Sequence, residues 1–188
     1  MTSIWFNNAI NMANKIQKEV DSLGFRISVE KINVLMLYDE MVTDNELREI
    51  SRKLFYDGHY ARAVEEAFKC INNLVKKKAK KENDPKLDGS DLMHLVFSPD
   101  KPVLKINSLK TKSDKCQQQG YMEIFAGCMT GIRNPRAHEH KHYDEMKVAL
   151  EMLAWANHLI HIARNAKRTY KHSSESSDRN RALHQTTI

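Results

Sequence analysis

The stretch GIRNPRAHEHKH, residues 131–142, gathers Arg133, Asn134, Arg136, His138, His140 and His142 around one proline. An arginine holds a phosphate through two parallel N–H bonds. A histidine with a pKa near neutrality takes or gives a proton. Arg133 and His138 therefore suffice, in principle, for metal-free cleavage of RNA, where the 2′-hydroxyl is a built-in nucleophile. Arg136, His140 and His142 are read as further substrate contacts. The alternating histidines also raise a metal site, but alternation puts ligands on one side only in an extended segment. No cysteine or second cluster accompanies them in sequence, so neither a metal nor any other cofactor is expected. The purely structural alternative is an arginine capping a helix end and a histidine satisfied in a turn.

Positioning these groups falls to the flanking helices. In a regular helix Arg133 and His138 project about 140° apart. Pro135 is expected to push Asn134 out of the helical region. Asn134 then caps a new turn with Pro135 in its first position, and the resulting kink turns both side chains toward one cleft. The helix before this connection is expected from Gln118 to Ile132, with Met122, Phe125, Met129 and Ile132 inward. Gly120, Gly127 and Gly131 imply either a close helix approach or a weak helix. The helix after it is expected from Asp144 to Thr169, apolar nearly all round, which implies burial by the core and a second subunit.

Upstream, helical spacing predicts elements at 3–23, 28–41, 43–58 and 59–81. Ile32, Leu35 and Met36 are expected inward on the second. Thr43 and Glu46 have the spacing of a capping box for the third, which Gly58 ends. The fourth carries Ala63, Val64, Ala67, Phe68, Ile71, Leu74 and Val75 on one face and ends in KKKAKK. Lys76, Lys77 and Lys78 there are candidate contacts to an RNA backbone. A short helix capped by Ser90 follows, then an extended stretch after Pro99 and Pro102, then a polar, mobile segment over 107–117. The fold class is all-α.

Composition bounds the partners. The 188 residues are 41% hydrophobic and 29% charged, with a net charge of +6, which favours an anionic partner. Cys70, Cys116 and Cys128 form no CxxC pair and read as reduced thiols. No stretch is long and apolar enough to cross a bilayer, and the N-terminus lacks a signal-peptide pattern. A cytoplasmic protein with no membrane partner is expected.

IRNPRAH resembles the Arg-x4-His motif of the HEPN superfamily, in the form with Asn after Arg. GHYARAVEEAFKCINNLVKK, DGSDLMHLVFSPDKPVLKIN and GYMEIFAGCMTGIRNPRAHE resemble successive blocks of a prokaryotic HEPN subfamily, over about residues 58–165. The resemblance implies a HEPN-like helical bundle over 58–170, an N-terminal helical region over 1–57 and a disordered basic tail over 171–188. It implies a homodimer whose two motifs form one composite site, and a metal-independent endoribonuclease acting as a toxin or phage-defence effector. Arg133 would bind the scissile phosphate, His138 would act in acid/base catalysis, and Asn134 would position one of them. RNA is then the substrate, and an antitoxin or other defence-system protein the partner. The alternative is a non-catalytic HEPN module that binds nucleic acid, nucleotide or a protein.

Overall fold

A computed structural model describes residues 2–22, 29–139 and 142–169. In chain order the elements are α1 (Thr2–Ser22), α2 (Val29–Met41), α3 (Asn45–Tyr56), α4 (Tyr60–Lys78), α5 (Gly89–Phe97), β1 (Leu104–Lys105), α6 (Lys112–Cys128), a π-helical turn (Met129–Arg133), α7 (Asn134–His138), α8 (Met146–Asn165) and β2 (Lys167–Arg168). The chain is all-α apart from one antiparallel ribbon of two two-residue strands, β1 and β2. The expected tail at 171–188 lies outside the described residues, as do Leu23 and Gly24 at the expected end of the first helix.

Helix α4 is the axis. Its face of Ala63, Val64, Ala67, Phe68, Ile71 and Val75 is fully buried, with α8 along one side and α3 along the other. Burying a Phe or Ile side chain of this kind contributes about 1.5–3 kcal/mol. Helices α5 and α6 pack on each other through Phe97 and Phe125, whose rings stack at 4.7 Å. Val34, Tyr38 and Val42 from the α2 region join the same core as Leu153 and Ile160 of α8. Residue 57 is therefore no break in the core. Gly58 there only ends α3, at φ +86, with His59 N–H bonding Leu54 C=O at 2.8 Å and Gly58 N–H bonding Phe55 C=O at 3.2 Å. This is a left-handed helix stop that favours glycine.

Several expectations are corrected. On α2 the inward residues are Val34 and Tyr38, whereas Met36 is 59% exposed. Asp44, not Thr43, caps α3: its Oδ1 accepts the Leu47 N–H at 3.0 Å. Thr43 instead gives its backbone N–H to Asn157 Oδ1 at 2.9 Å. Asp44 also receives Arg164 from α8, so one carboxylate caps α3 and pins α8 to it. The Arg164 bond, together with the Leu47 N–H, outweighs burial and holds the Asp44 carboxyl below its ordinary range. Helix α6 begins at Lys112, within the segment expected to be mobile, because Thr111 accepts the Asp114 N–H at 3.0 Å as N-cap. The irregular stretch before it is clamped by buried Gln118, whose Nε2 bonds Phe97 and Leu104 C=O at 2.9 Å each.

Helix α8 is covered on most of its circumference by the core, but Trp155 is 41% exposed and Val148 is exposed too. A Cβ built on Gly120, Gly127 or Gly131 would meet nothing within 4 Å, so no close helix approach within this chain calls for them.

Candidate functional site

The motif sits on a continuous helical strap. Asn134 is helical, at φ −62 and ψ −45, so Pro135 does not break the chain there as expected. The strap absorbs the proline by widening. Pro135 has no N–H to give to the residue four before it, and its ring crowds that carbonyl. A π turn relieves the crowding, with the Asn134 N–H bonding Met129 C=O five residues back. Side chains serve the loosened carbonyls: Thr130 Oγ1 donates to Ala126 at 3.2 Å and Arg136 Nη1 to Ile132 at 2.7 Å. The helical course from Asn134 to His138 leaves Arg133 and His138 about 140° apart around the axis.

Arg133 turns inward to the start of α5. Its Nη2 donates to Asp88 Oδ2 at 2.7 Å. The side chain is 15% exposed, and Nε is buried without any partner. Asp88 is extended, at φ −147 and ψ 164, and its other oxygen accepts the buried Asn72 side chain of α4 at 2.6 Å. Asn72 in turn accepts the Gly89 N–H at 3.0 Å. Lys76 Nζ lies 3.9 Å from the same Asp88 oxygen. Burial alone would raise the Asp88 carboxyl, but the Asn72 and Arg133 bonds, with the charges of Arg133 and Lys76, hold it below its ordinary value. Gly89 is required twice over. Its φ is +55, and a Cβ there would lie 3.2 Å from Arg133 Nη2. Two cations thus share one ionised carboxylate, and the cluster keeps a net positive charge.

His138 ends α7, exposed, and makes no hydrogen bond among the described residues. Arg136 has a different role from the substrate contact expected of it. It donates Nε and Nη2 to both oxygens of Asp144 at 2.6 Å each, and Nη2 also meets Met152 Sδ at 3.0 Å. Its side chain is 4% exposed and that of Asp144 6%. His142 lies against this pair, 3.3 Å from Glu139 and 3.5 Å from Asp144. It lines a cleft of about 260 Å³ together with Arg62, Glu65 and Arg136. His140 lies outside the described residues.

The lysine run divides. Lys76 joins the Arg133 cluster and Lys77 is exposed. Lys78 is spent on the end of α8, where Nζ donates to the carbonyls of Ala163 at 2.9 Å, Ala166 at 2.8 Å and Arg164. That is helix C-capping by a cation, not a contact offered to RNA. Sequence reasoning missed Asp88 and Asn72. The only trace of them was the Asp-Gly step at 88–89, which marks a turn without naming its partner.

A family model described as a protein of unknown function (Hypoth_ymh) matches residues 42–162. No curated protein matches the chain, and no solved structure does.

Proposed function

The chain belongs to the Hypoth_ymh family of proteins of unknown function, and from that premise we propose, on its own residues, that it is a HEPN-type metal-independent endoribonuclease. The observation that carries this reading is the incomplete satisfaction of Arg133. It meets its carboxylate through Nη2 alone, while three residues on Arg136 is saturated. An arginine with spare donors, in a cluster of net positive charge beside an exposed histidine, suits a phosphodiester.

In the proposed reaction Arg133 binds the scissile phosphate. His138 takes the proton of the 2′-hydroxyl, whose oxygen forms a bond to phosphorus. The bond from phosphorus to the 5′-oxygen breaks, and that oxygen gains a proton. The products are a 2′,3′-cyclic phosphate and a 5′-hydroxyl. Asn134 positions the phosphate or a catalytic neighbour. Because Arg133 and His138 diverge around one helix, the reading takes the site as composite, completed by a second copy through the open face of α6 and α8. A role as a toxin or phage-defence effector, with an antitoxin or defence partner, belongs to the same proposal.

A second reading is favoured by the Arg133–Asp88 bond itself, which ties the guanidinium into a structural network. There the same dimer binds nucleic acid, nucleotide or a protein without cutting. Incubating the pure chain with total RNA in EDTA separates the two. The enzyme reading expects cleavage with cyclic phosphate ends and intact DNA. Binding that is lost in Arg133→Ala, with no cleavage by the wild type, selects the module.

A further inference from the structure

The end of the molecule away from the motif carries its own charge anomaly. In the β1–β2 ribbon Lys105 stands directly across from Lys167. Like charges directly opposite in a ladder are destabilising. Lys110 joins them around the turn at Leu109, which holds φ +57, a region a leucine rarely adopts. The three lysines line one concave cleft of about 400 Å³ with Ile106, Asn107 and Asn165. None of them is ion-paired to a carboxylate among the described residues, whereas Arg48, Arg62, Lys69 and Arg164 all are. The carboxylate of that loop, Asp114, is turned to Ser108 Oγ and the Lys110 N–H.

We infer that this cleft is a second nucleic-acid site, one that takes the phosphate backbone of single-stranded RNA without reading its bases. Three unneutralised cations around a concavity attract a polyanion, because neutralised phosphates release their counterions. No aromatic side chain lines the cleft, so bases have nothing there to stack on. No large exposed apolar side chain lines it either, which disfavours a membrane surface. The cleft adjoins the start of α6 and the motif follows its end. From Lys112 to Arg133 the helical path is roughly 30 Å. One strand running along α6 would touch both. The choice of RNA rests on the ribonuclease reading; the binding itself does not.

The test is anisotropy of a short fluorescein-labelled oligouridylate, titrated with the full chain across a salt series in EDTA. Lys105→Gln/Lys167→Gln is compared with a control of equal charge, Lys53→Gln/Lys80→Gln. Each lost phosphate contact should lower the log–log salt slope by about 0.7 and weaken binding about tenfold at low salt. The cleft variant should therefore lose about 1.4 in slope and the control nothing. Removing the cross-strand pair relieves repulsion, so the variant should melt no lower than the wild type. Equal binding by the two variants overturns the inference. So does a wild type that binds phosphatidylserine vesicles and no RNA. A wild type that binds through the cleft and cuts nothing keeps this site and removes the enzyme reading. One that cuts, with Arg133→Ala inactive and the cleft variant binding normally, removes this site alone.

Discussion

Arg133 and Arg136 stand three residues apart on one strap, and each faces an aspartate, yet the two pairs differ in kind. Arg136 meets Asp144 with two bonds of 2.6 Å, in a setting where both side chains are nearly inaccessible. Every nitrogen of that guanidinium has an acceptor. Arg133 meets Asp88 with a single bond of 2.7 Å, its carboxylate is half-exposed, and its Nε has no partner. The first pair is complete and holds the 139–145 connection to the helix. The second leaves donor capacity unused. The arginine with spare valence, and not the better-buried one, is the one to ask for chemistry.

The largest expected effect belongs to the complete pair. Arg136→Ala strands the Asp144 carboxylate in the interior and should cost about 3–5 kcal/mol of unfolding free energy, read by urea denaturation. A loss under 1 kcal/mol would erase the contrast between the pairs. Arg133→Ala should do the opposite. Stability should change little, since Asp88 keeps Asn72 and solvent, while RNA cleavage falls about 10²–10³-fold. His138→Ala should lose about 10²–10⁴-fold with an unchanged melt, because its side chain carries no contact.

Asp88→Asn sharpens the comparison further. The amide keeps a place beside Asn72 but withdraws the charge that fixes Arg133. Cleavage should drop between about ten- and a hundredfold as the guanidinium loses its orientation. Wild-type turnover in this variant would make Asp88 a bystander. The smallest effect is in acid. Asp44 and Asp88 both have carboxyls held below their ordinary value in the folded chain. The stability they contribute is complete above the unfolded pKa, about 4, and fades as pH falls through the lowered folded values. Melting temperature should therefore decline below about pH 4, and Asp44→Asn should flatten that decline.

What could be read in advance follows physical range. The stripes of α3 and α4 repeat over several turns, and Leu47, Phe68 and Val75 are buried as their spacing predicts. On α2 the phase was misread, because Met36 and Val34 are equally apolar letters and only the neighbours choose between them. The start of α6 was hidden because its first turn is polar, although Thr111 and Asp114 are a local cap. The strap was misread for the reverse reason: the restriction before Pro135 is a local preference, and the π turn overrides it. In the site, Arg133 and His138 could be named from local spacing. Asp88 could not, since it lies 45 residues from Arg133 and an ion pair across that separation leaves no periodic trace. Arg136 and Lys78 read as free cations for the same reason, as a lysine or arginine does not announce its acceptor.

The π turn at Met129–Arg133 has a consequence for length. A π turn is one residue more than the α turn it replaces. It behaves as a one-residue insertion whose phase error is carried forward, not absorbed in a loop. Each residue is worth about 100° of rotation, so α7 and Arg136 are swung by that amount relative to an uninterrupted α6. The buried pairing of Arg136 with Asp144 exists only in the shifted phase. Removing one residue from the turn, Gly131 for example, would tidy the hydrogen bonding of the helix and aim the wrong side of it at Asp144.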